Sequence, residues 1–82
     1  MTLQDCREGD RVRIVSVSGS GPFTRRLLEM GFIPGEEVTV KKYAPLFDPI
    51  EFVIKNSHVS LRRSEAALVN VEALGSGEFK VP

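Results

Sequence analysis

Apolar and polar positions divide the chain into five short runs with strand periodicity and one with helix periodicity. Residues 11–18 (Arg-Val-Arg-Ile-Val-Ser-Val-Ser) begin by alternating, with Val12 and Ile14 on one face and Arg11 and Arg13 on the other, which predicts a half-buried strand. The alternation slips at Ile14-Val15, so either both faces are covered there or a bulge re-aims the strand. Pro22 then suits the first turn of a helix capped by Ser20 or Gly21. Phe23, Leu27 and Met30 follow at i, i+4, i+7, and Leu28 widens the apolar stripe. Gly31 ends the helix in the usual left-handed stop, with Phe32-Ile33 placed to fold back as its apolar contact.

Pro34-Gly35 predicts a type II turn, because proline presets the first central residue and glycine accepts the positive φ of the second. Residues 37–41 alternate cleanly and extend towards Tyr43, with Val38 and Val40 inward. Residues 44–49 carry two prolines and read as a shaped loop. Residues 50–54 and 59–62 are the third and fourth strands, joined by a hairpin loop over 55–58 in which Asn56 takes positive φ. One tight helical turn at 64–67 precedes the last strand, 68–71. The expected fold is all-β: a small SH3-like five-stranded barrel with one short helix inserted after the first strand. It occupies residues 1–74, and 75–82 read as a loose C-terminal tail.

Composition narrows the function classes. Eighty-two residues carry 11 Lys+Arg and 11 Asp+Glu, and the balance argues against sheathing nucleic acid or an anionic membrane. No apolar run approaches the roughly 18 residues of a spanning helix, and a single cysteine fits a reducing, cytoplasmic setting. The basic residues nevertheless concentrate in the central part of the chain, while Glu65, Glu72 and Glu78 come late, so a local basic face is retained.

Chemistry-bearing motifs are sparse. The phosphate-cradling Gly-x-x-x-x-Gly-Lys-Ser/Thr pattern is absent, because Gly19-Ser20-Gly21 runs into Pro22-Phe23. Cys6 and His58 are the one Cys/His combination, and each has a simpler reading, Cys6 as a small core residue and His58 as an exposed turn residue. As metal ligands these two are weak candidates, since iron or zinc would need further carboxylates or ligands shared between copies. The expectation is therefore no enzyme and no firm cofactor.

Three blocks identify a family: Arg25-Arg26-Leu27-Leu28-Glu29-Met30-Gly31-Phe32-Ile33-Pro34-Gly35, then Ala44-Pro45-Leu46-Phe47-Asp48-Pro49-Ile50, then Val59-Ser60-Leu61-Arg62-Arg63-Ser64-Glu65-Ala66. In this order and spacing they closely resemble the FeoA family over residues 3–72. The resemblance implies a small cytosolic SH3-like accessory of FeoB, the ferrous iron transporter whose cytosolic part carries a G-protein domain. The module also resembles the C-terminal domain of some metal-dependent repressors, but without their DNA-binding segment, which favours the transport accessory. Where the family commonly has glycine in Ala-Pro-Leu-Gly-Asp-Pro, this chain has Phe47, which puts the usual positive φ there in question. The resemblance transfers no metal-ligand set.

Arg25, Arg26 and Glu29 are not needed to fill a core. Beside the apolar Pro45-Leu46-Phe47 loop and Asp48 they make the expected partner-binding surface, with the cytosolic part of the transporter as partner. A homo-oligomer is compatible with the sequence. A metal-sensing regulatory module and an RNA-binding barrel using the basic face are the alternative classes, and no nucleic-acid partner is expected. With Tyr43 the single tyrosine and no tryptophan, a conventional proline-peptide groove is not expected.

Overall fold

A computed structural model of the chain describes residues 1–75. A 3₁₀ turn (Leu3–Asp5) leads into strand β1 (Arg11–Val17), helix α1 (Pro22–Glu29), β2 (Glu37–Tyr43), β3 (Ile50–Ile54), β4 (Ser57–Leu61), a single helical turn α2 (Arg63–Ala66) and β5 (Val69–Gly75). The strands form one antiparallel sheet in the order β4-β3-β2-β1-β5. Val12, Ile14, Val38, Val40, Phe52 and Val71, from four of the strands, join Leu3, Leu27, Phe32 and Ala66 in one core. A single sheet can wrap such a core only if it curls, and register shifts in β1 and β2 supply the bends. The expected five-stranded barrel with its inserted helix is thus realised. The tail expected from residue 75 lies, beyond Gly75, outside the described residues.

The ambiguity at Ile14-Val15 resolves as a bulge. Ile14 pairs with Val71 and Ser16 with Asn70, leaving Val15 unpaired and 53% exposed. Asn70 Nδ2 then donates to Ser16 Oγ at 3.0 Å and Ser18 Oγ at 2.8 Å, which ties β5 to the end of β1.

Helix α1 stops as its sequence predicts. Gly31 has φ 106°, Gly31 N–H donates to Leu28 O at 3.1 Å and Phe32 N–H to Leu27 O at 3.1 Å, the paired bonds of a Schellman stop. Phe32 is thereby turned into the core against Phe52, ring edge to ring face at 6.3 Å. The apolar stripe is corrected, however. Only Leu27 is buried, Met30 is half-buried, and Phe23 and Leu28 are 62% and 39% exposed. An eight-residue helix has room for few inward positions, and here Leu27 takes the core side while Phe23 in the first turn faces outward.

The loop between β3 and β4 is shorter than expected. Lys55 (φ 51°) and Asn56 (φ 64°) form a two-residue hairpin turn, so Ser57 and His58 belong to β4 rather than to the loop.

Candidate functional site

The segment between β2 and β3 is a rigid projection built from the residues singled out by sequence. Phe47 N–H donates to Ala44 O at 2.7 Å and Ala44 N–H to Pro49 O at 3.0 Å, closing the loop on itself. Phe47 does adopt the left-handed region, at φ 66°, so the conformation expected of a glycine is kept by a phenylalanine. Its ring stands edge-on to Tyr43 at 5.8 Å, and the Tyr43 hydroxyl donates to the Cys6 carbonyl. Tyr43 N–H in turn donates to Glu8 Oε2 at 2.9 Å. On the other side Asp48 Oδ1 accepts from the Arg63 N–H at 3.0 Å, which pins the loop to the start of α2. Held this way, Leu46 and Phe47 remain 86% and 63% exposed. Exposed apolar side chains of this size on a hydrogen-bonded loop suit a contact, because less backbone entropy is lost when a partner covers them.

Two grooves flank the loop. One, of about 310 Å³, is lined by Arg26, Asp48, Pro49, Ser60, Arg62 and Glu65. The other, of about 440 Å³, runs from Gln4 to Glu8 and is closed by Tyr43, Phe47 and Arg63. The two aromatics absent from any sequence motif for a groove are therefore brought together by the loop. Arg26 and Asp48 share the first groove, while Arg25 and Glu29 are exposed on α1 and line neither, and Pro45 is exposed at the loop.

Glu65 is the residue that sequence reasoning passed over. It is 9% exposed, its Oε1 accepts from the Arg62 N–H at 2.9 Å, and its Oε2 lies 3.5 Å from Arg26. One carboxylate thus caps α2 and positions the arginine in the groove. The signal was legible as a glutamate three residues after the residue preceding the helical turn, the acidic half of a capping box.

The weak metal candidates separate. Cys6 is in the core, its Sγ directed at Thr2 O, and burial first, then the nearby Asp10 and Asp5 carboxylates, push its thiol up to about 11. A thiol so held stays protonated at neutral pH and is a poor ligand. His58 projects from β4, with Nδ1 2.6 Å from Glu51 Oε2. These are two donors where a transition-metal centre needs three or four, and among the described residues no group of three or more His, Cys, Asp or Glu is placed to hold an ion. No helix among them is long and apolar enough to cross a membrane.

Comparison with known proteins agrees with this architecture. The FeoA domain model matches residues 1–73. The chain is 44% identical over all 82 residues to a Porphyromonas gingivalis Fe(2+) transport protein A/Fe(2+) transporter FeoB fusion protein, of which it spans 10%. Iron(II) transport protein A of Clostridium thermocellum superposes with a TM-score of 0.86 at 40% identity, covering 90% of this chain and 46% of that one. Stenotrophomonas maltophilia FeoA, solved with zinc and described as an SH3 domain protein, gives 0.78 at 32% identity, covering 88% and 89%. The match to the domain model spans the whole barrel, from the 3₁₀ turn into β5, and with these relatives it makes the chain a member of the FeoA family.

Proposed function

We propose that this chain is a non-enzymatic cytosolic accessory of ferrous iron uptake that docks on the G-protein part of a FeoB-type transporter. The observation that carries the reading is the clamped loop presenting Leu46 and Phe47 to solvent, with Arg26 of α1 across the groove from Asp48 and Pro49. A relative that joins FeoA and FeoB in one polypeptide supports it, since fusion raises the effective concentration of two modules that meet. Docking biases the transporter only in so far as the surface binds one of its conformations better than another.

Within this surface the roles divide. Leu46 and Phe47 supply buried apolar area on contact, and Arg25, with no carboxylate paired to it among the described residues, supplies a charged anchor. Arg26 is already held by Glu65, so it acts as a fixed wall of the groove. The test is pull-down and titration calorimetry of the transporter's cytosolic part with Leu46→Ser, Phe47→Ser and Arg25→Glu. Leu46→Ser and Arg25→Glu should keep the wild-type melting curve, Phe47→Ser should melt lower but cooperatively because it loses the ring on Tyr43, and each should bind about tenfold or more weakly. Unchanged binding by all three would overturn the assignment.

A further inference from the structure

We propose that the outer edge of β4 is a strand-addition site for an extended, acidic segment of another polypeptide, adjoining the loop surface at the groove lined by Ser60 and Arg62 and independent of the transporter reading. The sheet ends at β4 on one side and β5 on the other. The β5 end is partly closed, because Thr2 bridges Asn70 and Val71 N–H donates to Met1 O at 2.9 Å. Nothing comparable covers β4 among the described residues.

The register shows which groups are left over. The two-residue turn makes Ile54 and Ser57 a hydrogen-bonded pair, and alternation makes Phe52 with Val59 and Ile50 with Leu61 the next ones. His58 and Ser60, opposite Val53 and Glu51, therefore direct their backbone N–H and C=O groups away from β3. That leaves two donors and two acceptors in a row, with no bond to them within the described residues. Natural edges of this kind are usually blunted by lysine, proline or a bulge. Ser57-His58-Val59-Ser60-Leu61 contains neither lysine nor proline, and its pairing with β3 is regular throughout.

Charge selects the occupant. Arg62 follows the strand and lines the groove with Ser60, yet forms no ion pair among the described residues, whereas Lys55 at the other end of the hairpin is paired with Glu36 at 3.4 Å, so the complementary charge is Arg62 alone. Of the acidic residues of the groove, Glu65 is paired with Arg26, while Asp48 keeps its charge and is held on the loop side by the Arg63 N–H. A second copy fits poorly. Antiparallel self-pairing that used all four free groups would set His58 opposite Ser60 and Arg62 of one copy opposite Asn56 of the other, so neither arginine would gain a carboxylate. An added strand with carboxylates meets complementary charge at Arg62 instead.

The probe is a capped synthetic peptide alternating valine and glutamate, titrated into the full chain and followed by amide hydrogen exchange and nitrogen-15 correlation spectra. The His58 and Ser60 amides should become protected. Arg62→Glu should weaken binding by about fivefold, the scale of one exposed ion pair, and the same peptide with lysine for glutamate should not bind. Ser60→Pro removes one outward N–H at a position where an edge strand tolerates proline, and should abolish protection at His58 while the melt stays cooperative. Protection at neither amide, binding unaffected by Arg62→Glu, or concentration-dependent dimerisation through β4 in place of peptide binding would each overturn the proposal.

Discussion

Replacing Glu65 with alanine separates the two tasks of its carboxylate. Oε1 accepts the Arg62 N–H at 2.9 Å, and losing a bond of this capping kind costs about 1 kcal/mol. Oε2 faces Arg26 at 3.5 Å, but the arginine side chain is 64% exposed against 12% for the glutamate, so solvent reduces the pair to roughly 0.2–1 kcal/mol. Glu65→Ala should therefore destabilise by about 1–2 kcal/mol, which for a domain of this size lowers Tm by roughly 5–15 °C. Glu65→Gln keeps a carbonyl oxygen for the cap and should lose less than about 1 kcal/mol. Circular-dichroism melts of both variants, with Arg26→Ala and the double mutant, close a cycle whose coupling should fall below about 1 kcal/mol. Glu65→Gln as damaging as Glu65→Ala would mean that charge, and not the cap, fixes α2. A second consequence follows from geometry. Fraying α2 releases the Arg63 N–H from Asp48, so Glu65→Ala should also loosen the loop and weaken partner binding.

Three further outcomes test the local accounts. Gly31→Ala should cost about 1–2 kcal/mol in chemical denaturation, and since the new Cβ would meet Ile54 Cδ1 at an ordinary 3.9 Å, the loss would come from the φ of 106° and not from a clash; a neutral result would refute that Schellman stop. Phe47→Gly should be more stable than Phe47→Ala by about 1 kcal/mol, because both lose the ring on Tyr43 but only glycine relieves the left-handed backbone, and the reverse order would contradict the loop conformation. For Cys6 the folded thiol titrates at about 11 against an ordinary 9.0, so the unfolded state loses its proton first, and stability should fall as pH rises from about 9 through 11. Urea midpoints across that range should decline more steeply for the parent chain than for Cys6→Ala, and parallel curves would remove the thiol from the account.

The fold was legible where a residue's local chemistry and its tertiary role coincide. Gly31, Pro34-Gly35 and Asn56 each set a backbone angle whatever surrounds them, and the structure keeps all of them. The helix stripe shows the limit of periodicity. Spacing places Phe23 and Leu27 on one face, but only the position of the helix on the sheet decides that Leu27 is covered and Phe23 is not. His58 was misplaced because the two-residue turn needs positive φ at Lys55 as well as at Asn56, and lysine gives no sequence signal for it. In the site, the apolar loop was visible in its two prolines, whereas its clamp to α2 joins Asp48 to a backbone N–H fifteen positions later, which no side-chain pattern announces.

The formal neutrality of the chain takes on a different meaning once the acidic residues are placed. Asp5, Glu8, Asp10, Asp48 and Glu65 each accept a hydrogen bond from a backbone N–H, at Thr2, Tyr43, Arg7, Arg63 and Arg62 respectively. A carboxylate engaged this way stabilises a turn or a helix start, and of the five only Glu65 also meets an arginine. The basic residues have no such backbone employment, because guanidinium and ammonium groups only donate and the free backbone groups of these turns are N–H donors too. Arg25 on α1 and Arg62 at the end of β4 are two of those left without ion pairs among the described residues. A small barrel with one modest core must fix its long loops with side chains. Those carboxylates keep their charge, so the surface stays neutral in sum, but the anions are held at turns while an unpaired arginine can reorient towards the acidic groups of a partner.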